Sequence, residues 1–135
     1  MMTLDAAQRD VCRMKRERTA SPLASLVLMN GPQFVEAARA TAANLITKHE
    51  TNSEAALIEL FRMTTSRTPS EDEQKIVQAL YDQQLNYFTD NAEQRDQYLA
   101  VGQYVADKDI DADRLAALAV VASTLFNFDE SISKR

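Results

Sequence analysis

A chain of 135 residues with 45% hydrophobic and 26% charged residues is long enough for one globular domain that buries most of its apolar surface. Two Gly and three Pro are too few for a sandwich or barrel built on many tight turns, and a single Cys excludes an internal disulfide. The net charge of −5 is divided unevenly: residues 1–67 carry nine Lys/Arg against seven Asp/Glu, and residues 68–135 carry six against thirteen.

Residues 3–18 open the chain as a partly irregular lead-in, with Leu4, Val11, Cys12 and Met14 at irregular spacing. Its cations Arg9, Arg13, Lys15, Arg16 and Arg18 are broken by Asp10 and Glu17, with no aromatic residue between them. Such a stretch reads as solvated or internally paired, without the basic excess and stacking rings of a nucleic-acid binder. Cys12 lies among cations that would favour its thiolate, but packing against the helices explains it as well.

Ser21-Pro22 then reads as N-cap and N1 of a short apolar helix through Leu23, Leu26, Val27 and Met29. Asn30-Gly31-Pro32 ends it, with Gly31 expected in the left-handed conformation and Pro32 opening the next helix. Phe34, Val35, Ala38, Ala42, Leu45 and Ile46 line one stripe of that helix. His49 near its end suits the helix dipole and has no sequence neighbour that would complete a catalytic or metal site.

A capping box is expected at Thr51-Asn52-Ser53-Glu54, ahead of a stripe of Leu57, Ile58, Leu60, Phe61 and Thr64. A second is expected at Thr68-Pro69-Ser70-Glu71, ahead of Ile76, Val77, Leu80, Tyr81, Gln84, Tyr87 and Phe88. Asp90 or Asn91 caps a shorter helix holding Tyr98, Leu99 and Val101 and ended by Gly102. Asp111 caps the last helix, Ala112 to about Phe126, with Ile110 and Leu115 in the staple positions. That helix is apolar almost all round and belongs at the centre. With no alternating β-branched runs, the fold class is all-α, a compact irregular bundle of about six helices in one domain.

The run Asp107, Asp109, Asp111, Asp113 resembles a calcium loop but fails it. In either register the Gly and bidentate Glu positions hold other residues. One His and one Cys do not make a zinc site, and no haem-attachment, phosphate-loop, HExxH or GxSxG motif is present. No cofactor is expected. The longest apolar run, residues 115–122, is too short to span a bilayer, and the start carries no secretory signal.

Several stretches together are similar to the C-terminal portion of domain-of-unknown-function family 1553, found in planctomycete cytochrome-c-type proteins. They are Leu4-Asp5-Ala6-Ala7, Cys12, Arg16-Glu17-Arg18-Thr19, Ser21-Pro22-Leu23, Leu28-Met29-Asn30, residues 32–39, Arg67-Thr68-Pro69 and residues 125–130. Ala20-Ser21-Pro22 stands where the family usually has Asn-Thr-Pro, Ala24 where it has Gln, and Gly31 where it has Asp. The resemblance implies a last helical portion of long, exported proteins with a haem-binding segment and another domain upstream.

The expected function is a non-catalytic helical interaction module that docks on upstream domains or another protein. The alternative is a contribution of polar residues to an active site shared with those domains. Under either reading the candidate residues are Asp5, Cys12, Arg16, Arg18, Asn30 and Asn127.

Overall fold

The computed structural model describes Leu26, residues 30–50, 52–104 and 109–132. Those residues hold five helices of eight residues or more: α1 Pro32–His49, α2 Ser53–Thr65, α3 Glu71–Asp90, α4 Ala92–Leu99 and α5 Ala112–Phe126. A four-residue turn, α6 Asp129–Ile132, is the last element among the described residues. No strand occurs among the described residues, so the fold is all-α. Five long helices stand where about six were expected: the helix expected over residues 22–29 and the lead-in lie outside the described residues, apart from a helical Leu26.

α5 is the axis of the molecule. Leu115, Ala116, Ala117, Leu118, Ala119, Val121, Ala122, Ser123 and Leu125 are all buried along it. It packs chiefly on α1 and α3, then on α4 and α2. The reason lies in side-chain size. Ala116, Ala119 and Ala122 of α5 and Ala38 and Ala42 of α1 have no exposed area, and small residues at a helix contact let two backbones approach closely. Larger side chains fill the flanks: Leu57, Leu60 and Phe61 from α2, Tyr81 and Phe88 from α3.

The helix ends correct several expectations. Gly31 is not left-handed; it is the extended N-cap of α1, at φ −66° and ψ 125°. A residue before proline is driven toward extended backbone, so Pro32 decides the conformation of its neighbour. α2 is capped by Asn52, whose side chain accepts from the Ala55 amide at 3.0 Å; Thr51 of the expected box lies outside the described residues. The box on α3 lies two residues further on than expected. Ser70 accepts from the Glu73 amide at 3.3 Å, and Glu73 accepts from the Ser70 amide at 2.8 Å. This register places Glu71, Asp72 and Glu73 in the first turn, where carboxylates meet the positive end of the helix dipole.

α4 ends at Leu99, so Val101 falls outside it, and Gly102 at φ +86° belongs to the turn that follows. On α3, Ile76 and Tyr87 are 68% and 43% exposed. The buried stripe is therefore narrower than the sequence pattern and turns on Tyr81 and Phe88. The predicted cap of α5 is present: Asp111 accepts from the Asp113 and Arg114 amides at 2.9 and 3.5 Å. Leu115 is buried and Ile110 packs on the same core.

Candidate functional site

Two open clefts flank the outer face of α2. The first, about 570 Å3, is lined by Lys48 and His49 of α1 and by Ala55, Ile58, Glu59, Arg62 and Met63 of α2, with Ser66 beyond it. The last turn of α1 carries Lys48 and His49, and the tight turn into α2 brings both onto Glu59. Lys48 Nζ donates to Glu59 Oε1 at 2.5 Å, and His49 Nε2 meets Glu59 Oε2 at 2.5 Å. These contacts, the hydrogen bond from Lys48 foremost, hold the Glu59 carboxyl below its usual range. A carboxylate ten residues away in sequence thus supplies the partner that the neighbourhood of His49 lacks.

The second cleft, about 580 Å3, lies on the opposite flank and is acidic. Glu54, Glu71 and Asp82 line it with Gln74, Lys75, Gln78 and Ala79. Between the clefts runs a narrow apolar slot whose walls include Leu57, Ile58, Phe61, Pro69 and Val77. Ile58 therefore borders both the slot and the cationic cleft.

A third feature is interior. Arg39 is 4% exposed, and its guanidinium donates to the backbone carbonyls of Val101 and Tyr104. Its Nε has no hydrogen-bond partner among the described residues, and no carboxylate there pairs with it. One turn earlier on α1, Glu36 accepts from the Gln103 amide at 3.2 Å. Together they clamp the turn at 101–104 to α1, a cation on its carbonyls and a carboxylate on its amide. Burial beside this clamp pushes the Tyr98 phenol up to about 12, against a smaller opposite pull from Arg39. The sequence signal for Arg39 was its place four residues after Val35, on the apolar stripe of α1.

Arg67 gathers the other end of the molecule. Its guanidinium holds Glu73 through contacts of 2.8 and 2.6 Å and Glu130 through contacts of 2.9 and 2.7 Å. It also lies 5.0 Å from the ring centre of Phe61, a cation–π distance. Arg67 thereby ties the start of α3 to the closing turn.

Of the residues expected at a site, Asp5, Cys12, Arg16 and Arg18 lie outside the described residues. Asn30 is exposed and donates from Nδ2 to the Leu26 carbonyl at 3.2 Å. Asn127 donates from Nδ2 to the Ser123 carbonyl at 3.1 Å, and its buried Oδ1 has no partner among the described residues. Asp111 is engaged in capping and Asp113 pairs with Arg95 at 2.8 Å; Asp107 lies outside. Among the described residues no group of three or more His, Cys, Asp or Glu side chains could hold a metal ion. No helix there is long and apolar enough to cross a membrane.

Among the described residues the geometry is that of a helical bundle with two oppositely charged clefts and an interior arginine clamp. The family model described as PSD1, protein of unknown function (DUF1553), matches residues 1–81, and the chain belongs to that family. No curated protein and no solved structure matches it.

Proposed function

We propose that the chain is a non-catalytic helical interaction module, docking on the upstream domains of a larger exported protein. What carries this reading is how the family-like stretches use their side chains. Asn30 and Asn127 each bond a carbonyl four residues earlier in their own chain, which is the work of a helix end. Leu26, whose carbonyl accepts from Asn30, and Phe128, next to Asn127, are 55% and 41% exposed. The side-chain amides of these two described candidates are engaged within the fold, while the two apolar side chains face outward. Exposed apolar side chains of this kind gain free energy when a partner covers them.

The test is calorimetric titration of this chain with separately produced upstream domains from a protein of the family. A one-to-one complex is expected, weakened about tenfold in a Leu26→Ser, Phe128→Ser double variant, as loss of two partly buried anchors implies. No complex, or one indifferent to that variant, refutes the module.

A contribution to an active site shared with those domains is the second reading, favoured by the unpartnered Oδ1 of Asn127. It requires turnover by the assembled domains that an Asn127→Leu variant abolishes while the complex still forms.

A further inference from the structure

The outward stripe of α2 has a symmetry of its own. Glu54, Ile58 and Arg62 follow one another at four-residue intervals, so they lie one turn apart on one face. Glu54 and Arg62 are exposed and Ile58 is half-buried. An apolar centre thus has a carboxylate one turn toward the N-terminus and a guanidinium one turn toward the C-terminus. Arg62 has no side-chain hydrogen bond or ion pair among the described residues. Among the described residues Glu54 engages only an uncharged amide, Gln74 Nε2 at 2.6 Å.

The surroundings repeat this division. Beyond Glu54 lies the acidic cleft with Glu71 and Asp82. Beyond Arg62 lies the other cleft, where Lys48 and His49 share the single carboxylate Glu59. The cationic flank keeps an excess of one positive charge and the acidic flank an excess of two negative charges, counting the Lys and Arg against the Asp and Glu of each lining. Met63, on the cationic flank, is 60% exposed.

We infer that this face binds a second copy of the same chain. A two-fold axis through Ile58 runs two α2 helices antiparallel. It sets Ile58 on the partner's Ile58, Glu54 on the partner's Arg62, and Arg62 on the partner's Glu54. The same rotation lays each acidic flank over the opposite cationic one. A patch whose charges change sign across its centre is self-complementary under two-fold rotation and under no simple translation. One operation therefore satisfies the unpaired Arg62 twice and covers Ile58 twice. The interface is small and its rim is charged, so the dimer is weak and salt-sensitive.

Sedimentation velocity on the isolated chain reads this directly, and it is independent of docking through Leu26 and Phe128. A monomer–dimer equilibrium is expected with a dissociation constant on the order of 100 μM, weakened by raising the salt. Arg62→Glu alone and Glu54→Arg alone each put two like-charge pairs at the interface and weaken the dimer about tenfold or more. Mixing the two variants in equal amounts restores a dimer, because each hybrid contact again joins opposite charges. The double variant restores it by itself. Circular dichroism of each variant checks that these exposed changes leave the helices intact. A wild-type chain that stays monomeric at about 1 mM overturns the inference. So does a dimer that Arg62→Glu leaves unchanged, or a mixture of the variants that fails to associate.

Discussion

A single side chain can hold a turn in place where no regular structure does so. The turn after α4 is gripped by Arg39 on its carbonyls and by Glu36 on the Gln103 amide. Gly102, at φ +86°, sits so close that an added Cβ would lie 2.7 Å from Glu36 Oε2 and 3.0 Å from its Cβ. Both the backbone angle and the space require glycine. A Gly102→Ala variant is expected to lose about 1–3 kcal/mol in urea unfolding, with faster hydrogen exchange at the Gln103 amide. At this scale the sequence was least legible. Nothing near His49 names Glu59 as its partner, and Arg39 announces itself only as a cation on an apolar stripe. Gly31 looks like a left-handed glycine until the effect of Pro32 on the preceding residue is counted.

Helix ends mix local rules with remote contacts. Asp111 caps α5 as the sequence foretells because its partners are two and three residues away. The start of α3 needed more. Two overlapping Ser/Thr-x-x-Glu frames compete there, and only the later one lets Glu73 serve both the Ser70 amide and Arg67. Arg67 first, and then the Ser70 amide, bring the Glu73 carboxyl down to about 2 from 4.5. A folded value below the unfolded one means that this carboxylate's stabilisation is whole above the unfolded value. It is lost as pH falls toward the folded one. Urea midpoints measured from pH 5 to pH 2.5 (about this window) are expected to fall more steeply for the wild type than for Arg67→Met. Equal slopes would show that the ion pair contributes nothing.

At the scale of the molecule, stability rests on α5 and on what the other helices press against it. Leu60 of α2 has no exposed area and stands within the core built around α5. Leu60→Ala is expected to cost about 2–5 kcal/mol, the sum of lost transfer energy and a residual cavity, read from the urea midpoint. Substitutions on the outward side of α3, at the exposed Ile76, should leave the midpoint almost unmoved. The sequence pattern places Ile76 and Leu80 on equal terms, yet only Leu80 packs on the core. A twenty-residue helix offers more apolar positions than its neighbours cover.

Helix type, helix order and the central place of α5 were determined by the sequence alone, because three-and-four spacing and local capping act over a few residues. Only the tertiary structure decided which flank of each stripe meets the core, which of two caps is used, and that His49 meets Glu59 and Arg39 meets the 101–104 turn. Those outcomes depend on groups brought together by packing, and the distance between such groups in space is not written in their distance along the chain.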